Sequence, residues 1–153
     1  MSVPIPHILI VESRFYDDVA DFLLQGAQAA LKEARVTWEC ITVAGALEIP
    51  AVMAMAVDRK AGSRFAAFVA LGCVIRGETS HYDIVAGESA RALMDLTIRP
   101  PFLCLGNGIL TCENKMQALR RADPAQKNKG RDAVLAALGQ YEIRNRFSGG
   151  AVS

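Results

Sequence analysis

The stretch from Phe65 to Asp83, FAAFVALGCVIRGETSHYD, restricts the fold more than any other part of the chain. Phe65 to Val74 is a near-continuous apolar run broken only by Gly72, the pattern of a strand buried on both faces of a parallel sheet. It ends in a polar turn, Arg76-Gly77-Glu78-Thr79-Ser80, after which His81 leads into a helical pattern. A strand that feeds a helix through a glycine turn leaves free backbone N–H groups at the helix start, where an anion can sit beside an imidazole. That junction is the candidate active site.

The rest of the chain repeats the same alternation. Ile8 to Val11 reads as the first core strand, with its exit from Glu12 to Tyr16 and with Asp17 and Asp18 supplying the negative charge favoured at a helix start. Val19, Leu23, Ala27, Ala30, Leu31 and Ala34 then recur at helical spacing. Thr37 to Val43 reads as the second strand and Ala44-Gly45-Ala46 as its exit, followed by a helix from Leu47 to about Lys60, with Pro50 in its first turn and Ala61 to Arg64 closing it. A third helix runs from Tyr82 to Ile98, stopped by Pro100-Pro101. Phe102 to Leu105 reads as the fourth strand with a glycine-bearing exit from Gly106 to Thr111. A short helix from Glu113 to Arg121, a polar connector from Asp123 to Lys129 and a last helix from Arg131 to Phe147 complete the chain. Ala133, Leu135, Ala136, Leu138 and Ile143 mark that helix's apolar side.

This order predicts a single α/β domain over residues 1–153, with an open parallel sheet between helices on both faces. Residues 1–6, with Pro4 and Pro6, read as an extended N-terminal arm, and residues 148–153 as a flexible tail. Ligands of such sheets bind outside the carboxyl ends of the strands. Four exits should therefore converge: Ser13 to Tyr16, Ala44 to Glu48, Cys73 to His81, and Gly106 to Thr111.

Charge argues against several partners. The net charge is +1 with no basic stripe, which points to neither nucleic acid nor an anionic membrane. The N-terminus lacks a basic signal-peptide region, and no stretch is long enough to span a bilayer, so a cytoplasmic protein is expected. Cys40, Cys73, Cys104 and Cys112 lie in separate elements without a C-x-x-C pair; buried reduced thiols are expected, not zinc or disulfides. The apolar share of 52% is high for one small domain, which suggests an oligomer.

Each candidate residue has an ordinary structural alternative. His81 can exchange protons beside an anion, or simply cap a helix. Thr79 and Ser80 can cap that helix too, and Ser80-x-x-Asp83 resembles a capping box. Glu48 favours a helix dipole whether or not a ligand is present. Phe15 can stack on a flat heterocycle or pack in the core. Arg121 and Lys129 can bind phosphate or remain solvated. Gly106-Asn107-Gly108 is not a dinucleotide fingerprint, because the third glycine is missing, and neither a P-loop nor a nucleophile elbow occurs.

Four blocks together carry more. Arg14-Phe15-Tyr16-Asp17, Gly45-Ala46-Leu47-Glu48-Ile49-Pro50, the block from Leu71 to Asp83 containing Val74-Ile75-Arg76-Gly77-Glu78-Thr79-Ser80-His81-Tyr82-Asp83, and Asn107-Gly108-Ile109-Leu110-Thr111-Cys112-Glu113-Asn114 resemble lumazine synthase. The resemblance covers the chain from His7 to Phe147. It implies a three-layer α/β/α sandwich with a four-stranded parallel sheet, flavodoxin-like. The implied reaction condenses 5-amino-6-(D-ribitylamino)uracil with 3,4-dihydroxy-2-butanone 4-phosphate to 6,7-dimethyl-8-ribityllumazine, without metal or cofactor. A non-catalytic flavin- or lumazine-binding paralogue is the alternative.

By that resemblance Phe15 would stack on the pyrimidine, and Ala46, Leu47, Glu48, Cys73, Val74 and Ile75 would hold the uracil and ribityl groups. Gly77, Glu78 and Thr79 would bind the phosphate beside His81 as proton shuttle. Arg121, with Lys129 nearby, would reach the phosphate from an adjacent subunit, so sites would lie at the interfaces of a homo-oligomer, most simply a pentamer. Two departures stand out. Asn107 occupies a position where many members carry an aromatic that closes the neighbour's pocket, so weaker binding is expected. Asp123-Pro124-Ala125-Gln126-Lys127-Asn128 lacks the Gly-containing turn typical of capsid-forming members, which favours a bare pentamer over a sixty-subunit shell.

Overall fold

Side chains alternate across a strand, so a strand with apolar residues at every position must be covered on both sides. The computed structural model describes residues 4–57 and 64–149. In chain order it contains β1 (His7–Ser13), α1 (Asp17–Glu33), β2 (Thr37–Val43), α2 (Glu48–Met55), β3 (Ala67–Ile75), α3 (His81–Ile98), β4 (Leu105–Cys112), α4 (Lys115–Ala122) and α5 (Lys129–Ser148). The four strands form one parallel sheet in the order β2-β1-β3-β4. Helices cover both faces, giving the flavodoxin-like sandwich that the sequence implies.

The two cores follow from the alternation. Ile8 and Ile10 of β1, with Val69 and Leu71 of β3, pack with Leu23 of α1 and Val134 of α5. Leu9, Val11, Phe68 and Ala70 face the other way, against Ile49 and Met53 of α2 and Leu93 of α3. Leu9 and Ile10 are fully buried, and burial of such a side chain contributes roughly 1.5–3 kcal/mol.

The fourth strand differs from its sequence reading. It spans Leu105–Cys112 and pairs in register with β3 from Phe68 to Ile75, so residues 106–111 are strand and not an exit loop. The glycines that look like turn residues are there for packing. A Cβ at Gly106 would fall 1.8 Å from the carbonyl oxygen of Ala133, and one at Gly130 would fall 2.1 Å from that of Leu23. Helix α5 thus lies directly on β4 and against α1. Residues 102–104 remain connection, with Phe102 in the left-handed region at φ 59°. The outer edge of β4 is partly covered by Gln140, whose amide accepts from Leu105 N at 2.9 Å and donates to Leu105 O at 2.8 Å.

Seating α5 this way also selects its packed side. Gly130, Ala133, Val134 and Ala137 are buried, whereas Leu135, Ala136 and Ile143, expected to pack, are exposed. Ala34 is exposed past the end of α1. Cys40, expected to be buried, is exposed because β2 is an edge strand; Cys104 and Cys112 are buried, Cys73 is half-buried, and all four are free thiols. Helix α2 ends at Met55, and the expected continuation to Lys60 and its closing turn fall largely outside the described residues. So do residues 1–3 of the arm and 150–153 of the tail, while Ser148 is still helical. Among the described residues, no helix is long and apolar enough to cross a membrane.

Candidate active site

Three strand exits build the principal pocket. β1 leaves through Arg14, Phe15 and Tyr16; β2 leaves through residues 44–47 to Glu48, the first residue of α2; β3 leaves through residues 76–80 to His81, the first residue of α3. Together they enclose an open pocket of ≈ 270 Å³. Phe15 lines it from the first exit, Ala46, Leu47 and Glu48 from the second, and Cys73, Val74, Ile75, Gly77, Thr79 and His81 from the third. Glu78 is exposed in the same turn but does not line the pocket.

Phe15 is 74% exposed, so it is not a core residue. Its ring stands edge-on to Tyr16, with centroids 5.0 Å apart, and an exposed aromatic on a short loop suits stacking on a flat ligand. The two glycines of the third exit have different causes. A Cβ at Gly72 would lie 2.7 Å from Ser13 Oγ, whereas one at Gly77 would meet nothing within 4 Å, and the Gly77 backbone is not left-handed. The fold needs the first glycine for the approach of β1. It does not need the second, which leaves the close approach of a ligand as a reason for it.

The start of α3 is not held by the expected capping box. Ser80 makes no side-chain cap, and the Asp83 carboxylate is drawn instead to the Arg76 guanidinium at 3.3 Å. Thr79 Oγ1 accepts from His81 N at 3.3 Å. Arg76 also donates to Glu113 at 3.0 Å and lies 4.3 Å over the Tyr82 ring; its pKa is raised, chiefly by the bond to Asp83. Reciprocal capping occurs at α4, where Asn114 accepts from Gln117 N and Gln117 accepts from Glu113 N.

The pocket wall is largely neutral. Burial, reinforced by neighbouring Cys112, pushes the Cys73 thiol up to about 12, so it stays protonated and is no nucleophile at neutral pH. Burial, with Cys73 beside it, also raises the Tyr16 phenol. The Lys115 ammonium lies 5.4 Å from the Tyr16 ring centroid and pairs with Asp18 at 3.1 Å. Among the described residues, no group of three or more His, Cys, Asp or Glu side chains could hold a metal ion.

The remaining candidates lie elsewhere. Asn107 of β4, Arg121 of α4 and Lys129 of α5 line a second pocket of ≈ 400 Å³, together with Asp132. The two pockets share no lining residue. Arg121 Nη1 donates to Gln117 O at 3.2 Å, and Lys129 pairs with Asp132 at 2.9 Å. Asn107 Oδ1 accepts from Ile109 N at 2.9 Å, satisfying a donor of an edge strand.

The pocket also contains Ser13, Tyr16, Tyr82 and Val85, which the sequence reading did not select. Val85 follows His81 by one helical turn, and that spacing alone puts both on one face. Ser13 occupies the end of a strand whose exit was already a candidate. Tyr16 closes the first exit, and Tyr82 directly follows His81.

Comparison with known proteins bears on this arrangement. The family model described as 6,7-dimethyl-8-ribityllumazine synthase matches residues 6–145. A 6,7-dimethyl-8-ribityllumazine synthase of Agrobacterium fabrum is 56% identical over 146 residues, covering 94% of this chain and 98% of that protein. A protein of Rhizobium meliloti, 6,7-dimethyl-8-ribityllumazine synthase 1, is 57% identical over 143 residues, covering 92% and 93% respectively. One from Methylorubrum extorquens is 58% identical over 139 residues, covering 90% and 80%.

Proposed function

The chain belongs to the 6,7-dimethyl-8-ribityllumazine synthase family, and from that premise we propose how its residues divide the work. The enzyme condenses 5-amino-6-(D-ribitylamino)uracil with 3,4-dihydroxy-2-butanone 4-phosphate, releasing phosphate and water, in riboflavin biosynthesis. The substrate amine attacks the ketone and expels water to form a Schiff base, phosphate is eliminated, and the ring closes with loss of a second water. Holding two reactants together and moving protons between them supplies most of the catalysis that such a sequence needs.

In our reading Phe15 is the platform for the pyrimidine, while residues 46–48 and 73–75 hold the ring and the ribityl chain. The turn containing Gly77, Glu78 and Thr79 receives the phosphate at the start of α3, where backbone donors and the helix dipole favour an anion. His81, lining the same pocket, carries protons during condensation, elimination and ring closure. Arg121 and Lys129 supply positive charge to the departing phosphate, and Asn107 closes the pocket.

The observation that supports this reading is that the candidates fall in two pockets, which share no lining residue. In our reading each half of the site faces a different neighbour. Family membership brings an oligomer; the finer reading is a closed head-to-tail ring of five, with the whole of residues 1–153 as one domain. The exposed Ile84, Met94, Ile98 and Phe102 offer apolar surface for such contacts. The connector at residues 123–128 contains no glycine, and on that ground we read a pentamer without a shell. Four free thiols suit a cytoplasmic location.

Light scattering separates the assemblies: a mass near five chains of 16.5 kDa is expected, and one near sixty chains would refute the bare pentamer. The roles are tested by mixing the two substrates and following lumazine absorbance. Gly77→Ala should leave thermal stability unchanged and raise KM for the butanone phosphate. An unchanged KM would remove Gly77 from the phosphate site.

A further inference from the structure

The Phe15 ring is 74% exposed, yet a stacking platform must be held at a fixed angle. We infer that Arg14, braced on the buried carboxylate of Glu12, is a positioning residue that fixes the Phe15 ring for the aminouracil. The inference rests on the reading of Phe15 as that ring's platform.

The argument begins with Glu12, a carboxylate at the end of β1 that is only 3% exposed. A charge in such a place must be paired. Arg14 Nη1 donates to Glu12 Oε1 at 3.1 Å and to Oε2 at 3.2 Å, and Thr42 Oγ1 donates to Oε1 at 3.0 Å. The guanidinium also spans the loop. Its Nε donates to Asp17 Oδ1 at 3.3 Å and its Nη2 to the Asp17 carbonyl at 3.4 Å, with a further bond from Nη2 to Asp21. One side chain thus ties the end of β1 to the first turn of α1, and Phe15 lies between the tied points.

The planar, multidentate fork of arginine suits this task, whereas a lysine ammonium lacks the directional geometry. Burial works to lower the Arg14 pKa, but the bonds to Glu12 and Asp21 outweigh it and raise the value, so the clamp stays charged over the working range. Through Thr42, near the end of β2, the same carboxylate is also linked to the strand that leads into residues 44–48. Among the described residues, the Phe15 ring meets Tyr16 edge-on. Without the clamp, the ring would sample orientations that do not stack, and the cost would fall on the flat substrate alone.

The test is a double-mutant cycle in steady-state kinetics with both substrates varied. Phe15→Ala is expected to raise KM for the aminouracil by about fivefold to tenfold, the worth of an aromatic stack. Arg14→Ala is expected to raise the same KM by about the same factor, leaving kcat and KM for the butanone phosphate within about twofold. The double variant should be no worse than Phe15→Ala alone, because a residue acting only through the ring has nothing left to position. If Phe15→Ala raises KM but the Arg14→Ala effect persists undiminished in its background, the positioning role is refuted and the platform reading stands. If Phe15→Ala leaves KM unchanged, both fall. Because Arg14→Ala strands the Glu12 charge, Glu12→Gln/Arg14→Gln is measured alongside, with and without Phe15→Ala. The same single-KM rise, lost in the Phe15→Ala background, is expected, and a wild-type KM in this neutral pair would overturn the inference.

Discussion

The two pockets differ in what builds them. The first is enclosed by three strand exits and has a neutral floor, an exposed aromatic ring and an imidazole at its rim. The second is set on one strand edge and two helices and presents a guanidinium and an ammonium. A flat heterocycle suits the first kind of wall, and a phosphate ester needs charge of the second kind. Both substrates must meet for a condensation, yet these walls belong to two pockets that share no lining residue. The proposed head-to-tail ring would reconcile the two facts, because each copy would then offer its second pocket to its neighbour's first.

The largest expected effect breaks one region and spares the other. Gly106→Ala would put a Cβ 1.8 Å from the Ala133 carbonyl oxygen, unseating α5, which carries Lys129. A loss of about 3 kcal/mol in urea unfolding is expected. Gly77→Ala, by contrast, has open space and should cost less than about 0.5 kcal/mol, as surface substitutions do. Equal losses in the two variants would show that the glycines of β4 are not packing residues.

A second experiment sharpens the division between subunits. His81→Ala should lower the rate by about a hundredfold, and Arg121→Ala by about tenfold to a hundredfold, the worth of a charge-assisted bond. Neither should abolish turnover, since proximity of the reactants survives. If the halves come from different copies, co-assembled variants leave about a quarter of the sites with both residues intact. Lumazine formation should then recover to about that fraction of wild type. A mixture no better than the mean of its parents would place both residues in one subunit's site.

The same contrast explains what could be read from the sequence. The first pocket is legible because its residues cluster where strands end and helices begin, where an apolar run stops and polar or glycine residues must have a reason. Phe15, Glu48 and His81 could be placed from the strand–helix alternation alone. At the second, Asn107, Arg121 and Lys129 are legible as candidates, but the strand beneath them is not, because Gly106 and Gly108 look like turn residues and serve as packing residues against Ala133, distant in sequence. The apolar side expected of α5 is borne out in part: Ala133 is buried and Leu138 packs against the core, whereas Leu135, Ala136 and Ile143 are exposed. Close approach selects Gly130 and Ala133 for burial over the larger Leu135 and Ile143. Spacing points Asp83 to a cap, whereas Arg76, seven residues earlier, claims its carboxylate.

A smaller effect lies at the seam between the regions, where Cys73 of β3 meets Cys112 of β4. The folded Cys73 value of about 12 lies above the ordinary 9.0, so the folded state holds that proton more tightly than the unfolded chain. The associated stability is full below pH 9 and is lost as pH rises toward 12. Urea midpoints should therefore fall between pH 9 and pH 12 in the wild type, and less steeply in Cys73→Ala. Parallel curves would mean that the thiol is not buried as described. Alkylation at pH 8 should also be slow at Cys73, since the thiolate is scarce.

The smallest expected change tests whether the second pocket reaches a neighbour's ring at all. Asn107 is exposed on β4 and spends its amide oxygen on Ile109 N. Asn107→Phe loses that bond, worth about 1 kcal/mol at most on an edge that water can reach, and its ring is carried to the same place. If that place faces the substrate held by Phe15 of the adjacent copy, a second stacking surface adds about 0.5–1.5 kcal/mol. KM for the aminouracil should then fall by about twofold to tenfold, with a small drop in melting temperature from the lost bond. The signs of these two changes oppose each other, so stability alone cannot mimic the gain in affinity. Unchanged or weaker affinity with the expected loss of stability would show that Asn107 serves only its own strand edge, and that the pocket's closing wall comes from another residue.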